Sequence, residues 1–212
     1  GRGRQFRGSM ERFSAVLPDR LQLAFDTDRY ASAREEMEQQ YRALEREALT
    51  SVEAACRERN CVLVRSPAGL YIAALGEGEL LSPEAVSQLE PDERARIQHD
   101  LDYLDDLLDD EMRHLRDHER RVRADIDKLD REVADFTLTP LLDEVRALYA
   151  DQPAVLAYLE EVRQDILGHI PLFRMGEGVK SEAEESLLLD VPITKRYRAN
   201  LFVDNSQLKG AP

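Results

Sequence analysis

Along this chain, apolar residues fall into two long stripes at helical spacing. From Pro91 to about Phe136, Ile97, Leu101, Leu104, Leu108, Leu115, Val122, Ile126, Leu129, Val133 and Phe136 follow one another at steps built from three and four, as in a heptad seam. No Gly or Pro breaks the run, so the pattern predicts one helix of roughly 46 residues, about 70 Å long at 1.5 Å per residue. A stripe so narrow on a helix so long must be buried against a second helix before ordering it becomes favourable. The segment 28–59 supplies that partner, with Tyr30, Ala33, Met37, Tyr41, Leu44, Ala48, Val52 and Ala55 on one face. Its small residues Ala33, Ala48, Ala55 and Cys56 allow close approach.

Between these stripes short apolar runs flank turn residues. Val62-Leu63-Val64, the turn residues Ser66-Pro67-Ala68-Gly69 and the return Leu70-Tyr71-Ile72 predict a β-hairpin over 60–75, a compact connection that makes the two helices antiparallel. Leu70, Tyr71 and Ile72, with Leu80 and Leu81, concentrate apolar side chains at one end of the pair. The first three are candidate substrate-contact residues, against the simpler alternative that they cap the helix ends. Ser82-Pro83 and Glu90-Pro91-Asp92-Glu93 read as helix starts. Thr139-Pro140 predicts a further helix to about Tyr149, and Gln152-Pro153 another that ends at Gly168.

The expected fold is therefore mainly α: a long antiparallel, coiled-coil-like helical arm with a small β-hairpin and a C-terminal helical and strand region. Its organisation reads as an N-terminal helical segment (1–27), the helical hairpin (28–136), short helices (137–170), a flexible loop (171–195) and a strand region (196–212). The Tyr197–Asp204 stretch alternates as one strand and has no evident partner. A lone strand is expected in a piece of something larger.

Charge narrows the function. With 43 acidic and 29 basic residues the formal net charge is −14, which argues against nucleic acid or an anionic membrane as the main partner. Residues 1–20 are the exception, with Arg2, Arg4, Arg7, Arg12 and Arg20 against Glu11 and Asp19; Arg4, Arg7 and Arg12 read as solvated surface, with contact to a nucleotide or an acidic neighbour in an assembled ring as the alternative. No apolar stretch approaches the length of a membrane span. Cys56 and Cys61 match no zinc or redox spacing and fit a reducing compartment, so a cytoplasmic location is expected.

Candidate chemistry is sparse. Gly176-Glu-Gly178-Val-Lys180-Ser181 imitates a phosphate loop, but Val179 replaces the Gly before Lys and no apolar strand precedes it. Of Lys128, Lys180, Lys195 and Lys209, none lies in an apolar setting beside a Ser, as a Lys base would need. Glu111, His114 and His118 share a helix face as metal ligands do, yet His118 also fits a polar register-setting position on the seam. The acidic run Asp100–Glu111 has no looped carbonyl shell and reads as a solvated or partner-facing surface. The Arg113–Arg123 stretch reads as intrahelical pairing. No catalytic, cofactor-binding or metal residue is assigned.

The segments GRGRQFRGSMERF (1–13), LSPEAVSQLEPDERARI (81–97), DREVADFTLTPLLDEV (130–145), YADQPAVLAYLEEVRQDIL (149–167) and RYRANLFVDNSQLKGAP (196–212) together resemble the Lon-related AAA+ protease family. In particular, they are similar to the helical region that this family inserts in its ATPase module. The resemblance implies a parent protein that forms a hexameric ring, uses ATP and Mg²⁺ in the members with a working ATPase, and degrades unfolded or damaged proteins with a Ser-Lys dyad. It places the P-loop before Gly1 and the Walker B strand and dyad after Pro212. This chain would then serve substrate capture, entrance gating or ring architecture and would lack activity alone. A free-standing coiled-coil adaptor and a helical metal-binding protein are the competing classes.

Overall fold

The computed structural model describes residues 2–67, 69–76, 78–174 and 196–197. They form α1 (Arg2–Phe25), α2 (Asp28–Glu58), β1 (Cys61–Ser66), β2 (Gly69–Gly76), β3 (Glu79–Leu80), α3 (Pro83–Gln88), α4 (Pro91–Leu148), α5 (Pro153–Gly168) and α6 (Ile170–Arg174). The mainly helical class with a small antiparallel sheet is as expected, and the hairpin gains a short third strand in the order β1-β2-β3. The predicted strand Tyr197–Asp204 lies outside the described residues beyond Tyr197, as do the loop residues 175–195 with Lys180 and Ser181.

The chain divides into two compact units, Gly1–Arg34 with Ile126–Pro212, and Glu35–Asp125. In the second unit, Val52 and Cys56 of α2, Cys61 and Ala74 of the sheet, and Leu104 and Leu108 of α4 form one core. Rising numbers along α2 meet falling numbers along α4, since Cys56 and Val52 pack with Leu104 and Leu108 while the Tyr41 ring lies parallel to His118. The helices are therefore antiparallel.

In the first unit, Met10, Phe13, Leu17, Leu21 and Phe25 line one side of α1 and pack with Leu138, Leu142 and Val145 of α4 and Leu159, Val162 and Ile166 of α5. Ile170 and Phe173 of α6 close this core.

Two sequence expectations fail on α4. Thr139-Pro140 does not open a new helix, because α4 continues through Pro140 to Leu148. A mid-helix Pro removes one hydrogen bond and costs about 3 kcal/mol. Burial of Leu138, Leu142 and Val145 around it outweighs that cost.

Phe136, expected on the seam, is 84% exposed. In the first unit the buried apolar residues of α4 are instead Ala134, Leu138, Leu142 and Val145. The cause is a change of partners, since α1 and α5 pack on this part of α4.

Candidate functional site

The site is built from the hairpin of the second unit. α2 ends as Arg59 and Asn60 donate backbone hydrogen bonds to Cys56 and Arg57, and Asn60 takes a left-handed φ of 53°. Asn is among the few side chains that tolerate this conformation, and it turns the chain straight into β1.

β1 and β2 pair antiparallel with Cys61 opposite Ala74, Leu63 opposite Ile72, Val64 opposite Tyr71 and Arg65 opposite Leu70. Successive side chains point to opposite faces. Cys61, Leu63, Leu70, Ile72 and Ala74 belong to the face that packs with α2 and α4. The same alternation puts Val62, Val64, Tyr71 and Ala73 on the other face.

That outer face is unusual in chemistry. An antiparallel sheet with one solvated side ordinarily alternates apolar with polar. Here both faces are apolar, Tyr71 is 47% exposed and Leu80 on β3 is 55% exposed.

The main chain adds a second feature. Leu75 N–H donates to the Asn60 carbonyl and Leu81 N–H to the Ala74 carbonyl. With the register, these bonds fix the alternation of paired and outward-directed groups. The N–H and C=O of Cys61, Leu63 and Arg65 therefore point away from β2, along an edge that has no strand beside it in the described sheet. An edge carrying these groups is a template for another extended chain.

The candidate contact residues thus separate. Leu70 and Ile72 pack against the core, and Tyr71 stands on the outer face. The sequence does not single out Val62, Val64 and Ala73, because the uninterrupted apolar runs Val62–Val64 and Leu70–Ala74 do not mark which face is inward. Nearby, the Arg59 guanidinium lies 4.3 Å from the Tyr103 ring centroid and 3.7 Å from Asp100.

A second location is a cleft of roughly 510 Å³ between α2 and α4, lined among others by Glu47, Ser51, Glu111, His114, His118 and Arg121. His118 Nε2 is buried there without a hydrogen-bond partner among the described residues, while its ring faces Tyr41 at 6.3 Å. No three His, Cys, Asp or Glu side chains among the described residues converge as metal ligands. Glu111, His114 and His118 share a helix face and no more.

Within the acidic run, Asp102, Asp105, Asp106 and Asp109 are exposed, whereas Asp100 faces Arg59 and Glu111 lines the cleft. Partial desolvation, and then the charges of Asp109, Asp102 and Asp106, push the Asp105 carboxyl above its ordinary range. Cys56 and Cys61 are free, buried thiols whose pKa burial raises. Both belong to the core.

The first unit holds a polar network that the sequence did not disclose. Buried Asp130 accepts from the Tyr30 hydroxyl at 2.6 Å and from Arg174 at 2.7 Å. On the neighbouring face, Arg163 grips Asp135 through two bonds of 2.7 Å and reaches Glu160 at 3.0 Å, which Arg146 also holds. The Arg163 guanidinium holds the Asp135 carboxyl below its usual range. Tyr197 donates to Asp165 at 2.8 Å, and burial followed by that carboxylate raises its phenol well above the ordinary value. These contacts staple elements together.

No helix among the described residues is long and apolar enough to cross a membrane. No family model matches this chain, and neither does any curated protein or solved structure.

Proposed function

We propose that this chain is a helical insertion of a Lon-like ATP-dependent protease and that the outer face of its hairpin receives unfolded polypeptide. The family reading rests on the sequence resemblance. The observation that carries the contact role is the apolar outer face of Val62, Val64, Tyr71 and Ala73, bordered by the outward main-chain groups of β1. Unfolded protein offers the matching chemistry, namely apolar side chains and unpaired backbone N–H and C=O groups. Strand addition uses the backbone for affinity and alternate side chains for fit.

In this reading the hydrolytic steps belong to the parent's ATPase and Ser-Lys sites, and the hairpin delivers substrate to them. Tyr71 is 47% exposed on this face, and a Tyr loses little conformational freedom when it is covered.

The test changes Tyr71 and Val64 to Ser in the full-length protease. Degradation of an unfolded protein should slow by about tenfold, the effect expected when a buried aromatic contact worth roughly 1.4 kcal/mol is removed. Cleavage of a short peptide and assembly should remain intact. Equal loss of both activities would assign the face to structure.

A further inference from the structure

Two adjoining clefts of roughly 370 and 250 Å³ run along α1 in the first unit and share Ser9, Arg12 and Leu148. One is lined by Arg2, Arg4, Gln5 and Arg12, with the Asp151 carboxylate on Arg2. The other is lined by Phe13, Val16, Leu141, Val145 and Glu144. Together they make a groove that is basic at one end and mainly apolar at the other.

The basic end is organised. Arg2 is held by Asp151 at 2.6 Å, and Arg12 donates to Ser9 Oγ at 3.2 Å. A guanidinium has five N–H donors in a fixed fork, so an arginine held by one acceptor keeps donors for a second. The apolar end is open to contact, with Val16 41% and Leu148 65% exposed.

We propose that this groove binds an acidic amphipathic peptide segment of a partner protein. Its carboxylates would sit at Arg2, Arg4 and Arg12, and leucine-class side chains would cover Val16 and Leu148. Charge complementarity carries the assignment: residues 1–12 hold four Arg and one Glu in a chain of net charge −14. The long-range field of such a chain opposes a polyanion, whereas a short peptide with a few carboxylates feels mainly the local arginines within a Debye length. Nucleic acid is the less suitable occupant for a second reason. Phe13 and Tyr149, the aromatic residues among those that line it, are both buried, so neither is free to stack a base. The groove lies in the first unit and owes nothing to the hairpin reading, so either can fail alone.

The test is fluorescence anisotropy of the full chain with a labelled peptide in which a run of glutamates precedes a run of leucines. Saturable binding is expected, weakening with salt. Arg12→Glu and Val16→Asp should each raise Kd by about tenfold, since each puts an unfavourable charge at the contact. Both side chains are exposed, and unchanged circular dichroism melts establish that the variants fold; Leu148→Asp replaces either one that does not. The peptide with Gln for Glu, and the peptide with Ser for Leu, should each bind more weakly. No saturable binding, or unaltered affinity in folded variants, overturns the proposal, as does stronger binding of a single-stranded oligonucleotide.

Discussion

Tyr71 and Ile72 are neighbours in sequence, and the register of β1 against β2 sends them to opposite faces, so replacing each by Ser should have opposite consequences. Ile72 stands opposite Leu63 and packs against the core of Val52, Cys56, Leu104 and Leu108. Full burial of an Ile side chain contributes roughly 1.5–3 kcal/mol, and truncation adds the penalty of an unfilled cavity. Ile72 keeps part of its surface in solvent, so the expected loss for Ile72→Ser is about 2 kcal/mol. Tyr71, 47% exposed, gives up far less burial, and Tyr71→Ser should cost under about 1 kcal/mol.

Urea unfolding of the 212-residue chain, followed by far-ultraviolet circular dichroism, measures the difference. Hydrogen exchange resolved by peptide assigns it to the second unit, which matters because a chain with two compact units need not unfold in one step. Ile72→Ser should lower protection in β1, β2 and the 101–108 part of α4, while Tyr71→Ser leaves those amides as they were. Similar destabilisation by both variants would refute the two-faced hairpin, and with it the physical basis for polypeptide contact at Tyr71.

Removing the acceptor of the buried network by Asp130→Ala strands the Arg174 guanidinium and the Tyr30 hydroxyl and should cost about 3 kcal/mol by the same urea assay; Asp130→Leu with Arg174→Met should recover much of it. The clamp on Asp135 predicts a pH effect. Its carboxyl has a folded-state pKa below the unfolded value near 3.9, so its stabilisation is complete above that value and disappears as pH falls through the lower, folded one. Asp135→Asn should therefore be less stable than the parent at neutral pH and show a shallower loss of stability below about pH 4. Parallel acid limbs in melts at stepped pH would contradict it.

The elements that sequence determined were those set by local periodicity. Ile97 to Leu115 and Tyr30 to Ala55 specify helices because steps of three and four place them on one side of a 3.6-residue turn, wherever the partner lies. The hairpin follows from the short apolar runs at Val62–Val64 and Leu70–Ile72 and the turn residues at Ser66–Gly69, and its two faces follow from a period of two. Sequence also supplied Tyr71 as an apolar contact residue but grouped it with Leu70 and Ile72, because adjacency along a chain says nothing about which face meets a helix.

Tertiary packing decided the rest. Pro140 reads as a helix start by its own chemistry, yet it lies within α4 because Leu138, Leu142 and Val145 are buried on either side of it. Phe136 continues the heptad pattern but is exposed, because in the first unit α1 and α5 pack with Leu138, Leu142 and Val145 of α4. Asp130 looks like one more surface acid until Tyr30 and Arg174, 100 and 44 residues away, bring their donors to it. Periodicity fixes which residues share a face, and only the long-range contacts, whose energies exceed local preferences, fix which face is buried.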